Sequence, residues 1–546
     1  PFRGMPKRSP FLLGEPTDQR PKLCPRKSTS GGGAQRCACA VLQRRTEEVI
    51  RFSLKLIRLR FSLPQGELPD LAASDLDKYL LFQLGGGSRP SCPFPRAQLG
   101  WRDSLPVLVR LGRHQRWELA HSCASLKRSL PSDVCPVHPP PSRWSEWRKV
   151  ACEEPAPPSG EYLSFCRRET RRIFSFGWDS SYDSFCDSFL PRASKRYERG
   201  VRPDKIISAR YSWTRWQAAL RHGRTGPQDW RMRYGEVPSV GKVRPMGIPS
   251  VSWDLLGPLH KTMYQYMSSK EWLCVGPPTS KKVGGVCVYP NQTSVDLVSA
   301  TDGLSLPVAE AILGAALAKS TRVPPRLHLA AMNSLHPLVL GPDGEHHEVV
   351  HGQMMGTYLS FPLLCLQSYI AARWATRHTT AKYLVNGDDT LISSLDPVGD
   401  YPSGFRLNTK KTIRCASAAE LNSTVFLYRG GRWREVHHLR RSGAEPGWSR
   451  LTHCALACSK AGPQWEAAFI RSRVLSGWRV APSQLGLSDR HHEVVCAERK
   501  FRRKFHLVKL PVAEPPSQRF ELVARELSSL ERTEFRLDMF LGGREA

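Results

Sequence analysis

The segment that most constrains this chain is Tyr383–Ser393, Y-L-V-N-G-D-D-T-L-I-S. Tyr383, Leu384 and Val385 form one apolar run, and Thr390, Leu391 and Ile392 form another. Asn386-Gly387 between them is a favoured pair for a tight hairpin, because both residues tolerate positive φ. The pattern predicts two antiparallel strands with Asp388 and Asp389 at their tip. Adjacent carboxylates repel unless a cation or solvent screens them, so the segment alone fits a solvated acidic turn as well as half of a cation site.

A second segment supplies the other half. Ser294–Ser305 reads S-V-D-L-V-S-A-T-D-G-L-S; Val295, Leu297 and Val298 make an apolar β-type run from which Asp296 projects. Asp302 follows, just before Gly303. Ala309–Lys319 then has helical spacing, with Ser305 as the expected N-cap and Pro307 in the tolerated first turn. A strand that delivers one Asp and then turns into a helix can lie beside the hairpin. Asp296 and Asp388 would then face each other and share divalent cations, although a strand-end Asp closing a turn has the same local pattern. Hard carboxylate oxygens suit Mg2+, and two such ions about 3.5–4 Å apart serve phosphoryl transfer from a nucleotide.

Charge points the same way. The 546 residues carry 80 Lys+Arg against 49 Asp+Glu, a net charge of +31. Such an excess favours a nucleic acid partner over an acidic membrane surface or a merely soluble basic face. A hydrophobic content of 40% excludes wholesale disorder, and no apolar run reaches the roughly eighteen residues of a membrane-spanning helix. The 16 Cys are scattered singly, which predicts reduced thiols in an intracellular protein. Pro1–Pro10 is basic but lacks the apolar stretch of a secretory signal. The first Met is Met5, so the sequence is expected to begin upstream of the initiator. Turn-rich patches at 28–33, 85–95 and 136–143 read as loops or disordered linkers, and Arg44–Leu63 as a basic amphipathic helix packed on its own protein. Cys454 and Cys458, with His453, His491, His492 and Cys496 nearby, read as a buried thiol face in preference to a zinc site. His346-His347 and His437-His438 read as polar loop residues. Arg440-Arg441 and the K-F-R-R-K run at 500–504 suit single-stranded RNA or plain solvent.

Taken in order, these segments resemble the palm of a viral RNA-dependent RNA polymerase. Asp296 to Asp302 resembles the motif with two spaced aspartates, and Gly387-Asp388-Asp389 the GDD motif. Between them Gly352–Tyr369, G-Q-M-M-G-T-Y-L-S-F-P-L-L-C-L-Q-S-Y, is similar to the glycine loop and following helix. Its M-G-x-x-x-S-F-P-L-L form resembles the narnavirus, ourmiavirus and levivirus-related polymerases, nearest the botourmiavirus group. Gly241–Ser250, G-K-V-R-P-M-G-I-P-S, resembles the basic fingers motif, and Gly177-Trp178-Asp179 with Tyr182 and Pro191 is similar to the same group. Leu407–Thr412 and Leu421–Phe426 resemble the remaining palm motifs. The resemblance covers roughly residues 170–430, and the ordered set is far more specific than any member.

The resemblance implies an α+β right-hand fold whose small antiparallel palm sheet is backed by helices. Residues 291–305 and 351–430 would form the palm, 151–290 the fingers, 306–350 a fingers insertion and 431–546 the thumb and C-terminal tail. Residues 1–150 would be a basic, partly disordered extension. The implied activity is RNA-directed RNA polymerisation that replicates a viral RNA genome, adding nucleoside monophosphates from NTPs to an RNA 3′-end with two Mg2+ ions, or Mn2+ in their place. The host cytoplasm is the expected setting, with peripheral contact to an organelle membrane left open. Asp296 and Asp388 would hold metal, with Asp389 supporting them, and Asp302 would sense the ribose 2′-hydroxyl. Lys242 and Arg244 would neutralise the triphosphate, and Lys411, or its neighbour Lys410, would protonate the leaving pyrophosphate. Gly352 and Gly356 would let backbone approach template or nucleotide, with Gly387 serving the turn. Ser360 would cap the next helix or contact template or ribose. The Asn that often accompanies Asp302 is replaced by the apolar stretch Leu364–Leu366. Two rivals remain: a reverse transcriptase-like palm polymerase, disfavoured by the N-G-D-D tip and an available Asp302, and a non-catalytic basic RNA-binding protein with a structural acidic hairpin.

Overall fold

The apolar runs flanking Asp388 and Asp389 pair as strands, and the sheet they start lies at the centre of the molecule. The computed structural model describes residues 36–62, 111–130, 133–153, 155–190, 196–198, 213–223, 229–239, 242–297, 301–402, 404–405, 407–408, 412–441, 447–475, 482–487 and 489–498. In chain order the helices begin with α1 (Cys39–Phe61), α2 (Arg113–Ser125), α3 (Trp144–Ala151), α4 (Gly160–Ile173), α5 (Tyr182–Ser188) and α6 (Trp213–His222). Strands β1 (Arg231–Ser239) and β2 (Lys242–Pro249) precede α7 (Gly257–Ser268), α8 (Ser280–Val286), β3 (Asn291–Val295), α9 (Leu306–Leu317) and α10 (Pro325–Asn333). Then come β4 (Leu338–Leu340), β5 (His346–Glu348), α11 (Ser360–Ala375), β6 (Ala381–Asn386), β7 (Asp389–Ser394), β8 (Ile413–Arg414), β9 (Ala418–Leu421), β10 (Thr424–Arg429) and β11 (Arg432–Glu435). Helices α12 (Gly447–Ala461), α13 (Pro463–Leu475) and α14 (Asp489–Ala497) follow. Among the described residues no helix is long and apolar enough to cross a membrane.

The central sheet has the order β6-β7-β3-β8, and every pairing is antiparallel. Its strands read as unbroken apolar runs because both faces are covered. Leu384 and Leu391, a cross-strand pair, meet Leu421, Phe426 and Trp433 of the three-stranded β9–β11 sheet. On the other face Val295 and Ile392 meet Ala372 and Ala375 of α11. Two strands with alternating inward positions therefore bury both sets of side chains, and α9 and α11, apolar all round, complete the largest core cluster with α4 and α7. Strand β3 starts earlier than its sequence suggests, at Asn291, and ends at Val295. Leu297 leaves the sheet to bridge Leu407.

The stretch 306–350 does not form a separate body. Helix α9 packs on α4 and α11, while β4 pairs parallel to β1 and carries β5, giving a sheet ordered β2-β1-β4-β5. His346 and His347, read as loop residues, form β5, with His347 hydrogen-bonded to Asp343.

The described part of the N-terminal extension is built into the fold. Helix α1 begins at Cys39, ahead of the expected Arg44, and packs Leu54, Leu56, Ile57 and Phe61 against Trp465, Phe469 and Ile470 of α13. Buried at this junction, Glu118 of α2 accepts two hydrogen bonds from Arg60 at 2.9 Å and one from the Trp465 indole at 2.7 Å. The charge is paired and satisfied on both oxygens, which makes its burial tolerable. The low-complexity patches at 28–33 and 85–95 lie outside the described residues.

The Gly177-Trp178-Asp179 motif ties the chain after α4 to the end of α9. Gly177, at φ 69, donates its N–H to Lys319, and the Trp178 indole donates to Ala316 O. The fully buried Asp179 carboxylate accepts the backbone N–H groups of Thr321, Arg322 and Val323 at 2.7–3.0 Å. Asp179→Ala leaves three buried donors unpaired and is expected to cost roughly 3–5 kcal/mol, read as a lower thermal unfolding midpoint; Asp179→Asn should cost less. An unchanged midpoint for Asp179→Ala would contradict this account.

Candidate functional site

Pairing of Asn386 with Asp389 makes Gly387-Asp388 the two turn residues, one position later than the Asn386-Gly387 turn expected from sequence. Only Gly387 has positive φ, 66°, the pattern of a II′ turn with Gly at its first central position. The cause lies outside the hairpin. The Asn386 side chain donates to Cys274 O at 2.8 Å, and the backbone around 272–274 bonds Val385 on both its N–H and its C=O. These contacts hold Asn386 in the strand and push the turn forward. The Gly387 N–H donates to Cys365 Sγ of α11 at 3.2 Å, and a Cβ at Gly387 would stand 3.3 Å from the Phe361 ring. The tip is thus anchored on α11, with Asp388 exposed and Asp389 turned partly inward.

Register then brings the distant acid in. Strands β3 and β7 pair up to Val295 and Thr390, so Asp296 comes opposite Asp389, on the face shared by Ser294 and Leu391. Burial, Asp388 and Asp296 together push the Asp389 carboxyl up to about 7. That shift requires the three carboxyls to lie within electrostatic range of one another. The Asp296 main chain is held on both sides: its N–H donates to Thr412 Oγ1 at 3.3 Å, and its C=O accepts from Asn408 N–H at 2.8 Å. Asn408 and Thr412 belong to the Leu407–Thr412 segment; Lys410 and Lys411 between them lie outside the described residues.

The segment 421–426 supplies a second hairpin tip. Asn422 and Ser423, at φ 51° and 55°, are the two turn residues between paired Leu421 and Thr424, the I′ geometry that Asn tolerates. The Asn422 N–H donates to the Asp389 carboxylate, and Ser294 Oγ accepts from Glu420 N–H at 2.7 Å. One strand end and two hairpin tips thus converge on a single cluster of acids.

Cations border it. Arg128, on the single 3-10 turn Leu126–Ser129, lies within electrostatic reach of Asp389, Glu420 and Arg440; burial and then Arg440 push it below its usual range. Arg440 in turn hydrogen-bonds Thr424. His438, read as a loop residue, is buried, its ring 5.5 Å from that of His121. Burial, followed by Arg440, pushes it down to about 4, so it is neutral at pH 7. No sequence signal distinguished Arg128, which sits in the extension that resembles nothing.

The glycine loop is clamped between two of the other segments. Gly352, at φ 85, donates its N–H to Leu304 O, and a Cβ there would come within 2.6 Å of Asp302 O. Gly356, at φ 98, leaves only 2.8 Å between a would-be Cβ and Gly247 O, and the Gly247 N–H donates to Met355 O. Asp302 is half-buried; burial raises it, while Arg143 and a hydrogen bond from Trp147 of α3 draw it back down. Arg244 is exposed on β2, about 10 Å along the strand from Gly247, and Lys242 pairs with Ser239 at the ribbon's end. Ser360 does not cap α11. It is the first helical residue and buried, whereas the cap is Leu359 at φ 68, whose N–H is taken by His260 Nδ1 at 3.1 Å. Ser305 occupies the expected cap position of α9, but its hydroxyl makes no capping bond. Cys454 and Cys458 are a buried, mutually hydrogen-bonded thiol pair on α12, and their packing supports the thiol-face reading.

Chemically, the cluster offers hard oxygen ligands suited to divalent cations beside a cationic rim suited to phosphate. No protein-family model matches this sequence, and no curated protein matches it. Among solved structures, it is similar to the RNA-dependent RNA polymerase of a human picobirnavirus at a TM-score of 0.42 and 12% identity, over 69% of this chain and 79% of that one.

The raised Asp389 sets a pH dependence. Its carboxyl ionises near its ordinary 3.8 in the unfolded chain and near 7 in the folded one. The folded state therefore holds the extra proton, and stability falls as pH rises from about 4 to about 7 and then levels. In EDTA, Asp389→Asn should remove that slope, gaining up to roughly 4 kcal/mol over the parent at pH 8 and converging with it near pH 4. Thermal unfolding across this range checks it; parallel profiles would refute the shared burial of the three acids.

Proposed function

We propose that this chain is an RNA-directed RNA polymerase that extends an RNA 3′-end on an RNA template from NTPs. The observation that carries the reading is the meeting of Asp296, Asp388 and Asp389 at one end of an antiparallel sheet, with Asp389 forced upward by its like-charged neighbours. Acids kept together at such a cost imply a cation that relieves it. The donor set, carboxylate oxygens only, fits Mg2+, with Mn2+ as a substitute. In this reading Asp296 and Asp388 hold two Mg2+ ions and Asp389 supports them. Bound there, the ions acidify the primer 3′-hydroxyl and stabilise the leaving pyrophosphate.

The chain's own residues do the remaining work. Arg128 and Arg440 border the acids and offer charge to the polyphosphate, together with Lys242 and Arg244 from the β1–β2 ribbon. Asp302, oriented by Trp147, accepts from the ribose 2′-hydroxyl and selects NTPs over dNTPs. Gly352 and Gly356 keep the loop over the cluster thin enough for nucleotide and template to approach. Ser360, at the base of that loop, lies on the template side, and Lys411 or Lys410 returns a proton to pyrophosphate. The central sheet with α9 and α11 serves as the palm, and α12–α14 with α1 and α2 as the thumb side. Within viral polymerases the M-G-x-x-x-S-F-P-L-L segment favours the narnavirus and ourmiavirus-like group, working in the host cytoplasm.

Primer extension on an RNA template tests this. Asp388→Ala, at an exposed turn position, should lose at least about a thousandfold in incorporation while RNA retention on a filter stays unchanged. Asp302→Ala should instead narrow the preference for NTPs over dNTPs. Undiminished extension by Asp388→Ala removes the catalytic assignment. A parent chain that binds RNA but never extends it, with Mg2+ or Mn2+, leaves the structural RNA-binding protein standing.

A further inference from the structure

Four soft ligands meet far from the acids, in the segment that resembles nothing. Cys37 and Cys39 stand at the entry to α1, and Cys135 and His138 in the loop before α3. One ligand atom from each lies within 4.8 Å of all the others. His138 Nδ1 is 3.5 Å from Cys37 Sγ, 3.5 Å from Cys39 Sγ and 3.8 Å from Cys135 Sγ, and the sulfurs of Cys135 and Cys37 are 3.9 Å apart. A tetrahedral zinc with Zn–S about 2.3 Å and Zn–N about 2.0–2.1 Å has S···N edges of roughly 3.5–3.6 Å and S···S edges of roughly 3.8 Å. The observed edges fit that tetrahedron, and the sulfur separation is nearly twice the ~2.05 Å of a disulfide.

We propose that Cys37, Cys39, Cys135 and His138 form a structural zinc site that fastens the start of α1 to the loop preceding α3. Apolar packing does not explain the cluster, because Cys37 and His138 are exposed and Cys39 is only half-buried. A second observation points to a ligating thiolate: the Ala38 N–H donates to Cys135 Sγ at 3.3 Å, the outer hydrogen bond that steadies a metal-bound sulfur. Four protein ligands close the coordination sphere and leave no position for substrate, so the site is structural. Three thiolates and an imidazole select zinc, whereas the all-oxygen cluster at Asp296, Asp388 and Asp389 does not. The C-x-C and C-x2-H halves stand far apart in the chain, which is why neither reads as a zinc motif.

The site has a place in the fold. Its second half follows the single turn that carries Arg128, and Arg45 of α1 pairs with Asp133 beside it at 3.0 Å. The metal clamps that turn to α1, which is itself packed on α13. This inference is independent of the polymerase reading, and its test needs no catalysis.

The full chain is expressed with zinc in the medium, passed over a desalting column, and its metal measured by plasma mass spectrometry. About one zinc per chain is expected, and cobalt substituted for it should show the visible bands and thiolate charge-transfer of a tetrahedral sulfur site. Cys37→Ser combined with Cys39→Ser should drop the metal below about a fifth of an equivalent. His138→Cys, which keeps four ligands, should retain zinc and red-shift the cobalt spectrum, so loss of metal cannot be put down to misfolding alone. Cys152→Ser, outside the cluster, should keep its full complement. A parent chain without zinc, one bearing an iron–sulfur chromophore, or undiminished zinc in the double serine variant each overturns the proposal.

Discussion

The antiparallel pairing of β3 with β7 is the constraint on which the site depends. One register brings Val295 and Ile392 onto α11, and Ser294 and Leu391 toward the β9–β10 hairpin. Because side chains alternate, a slip of one residue would turn every apolar side chain out of its core. The register is therefore held by burial on two faces, well away from the acids. Its last step brings Asp296 opposite Asp389, and the electrostatic penalty of that arrangement falls on a sheet whose apolar core holds the register regardless. The carboxylates are kept close by packing, not by any attraction of their own.

That division explains what could be read from sequence and what could not. The strands, the α9 and α11 helices and the converging acids follow from local chemistry: β-type runs, a Gly in a turn, a helical stripe after Asp302. The errors lie where a remote group decides the outcome. Asn386 reads as a turn residue, but Cys274 holds its side chain in the strand. Ser360 reads as a cap, yet His260 takes the Leu359 N–H and Leu359 accepts the left-handed conformation. His438 reads as polar loop, but Leu439 beside it joins the α12–α13 core and carries the ring inside. Arg128 and Trp147 carry no local pattern at all; they matter through what the fold lays against them.

Both belong to the extension before residue 150, which the fold uses as scaffold. Trp147 reaches back to Asp302, and Arg128 toward Asp389, from elements that pack on opposite sides of the central sheet. The Arg60–Glu118–Trp465 junction joins this part of the chain to its C-terminal helices. A buried carboxylate bonded on both oxygens gains little net stability but tolerates few other geometries. It consequently orients α1 and α2 on α13, and with them the turn that bears Arg128.

Two clusters of charged ligands can coexist in one chain only if each rejects the other's metal. The acids at the hairpin tips present hard oxygens, one of them exposed, in a place open enough for exchange with solvent. The cysteines and His138 present soft donors at edges too short for a hydrated magnesium ion, in a sphere with no vacancy. Irving–Williams affinities would otherwise let zinc invade both. The separation of donor chemistry along the chain, sulfur in the anchoring segment and oxygen at the hairpin tips, allows a tightly held structural ion to remain in place while the exchangeable ones come and go with nucleotide.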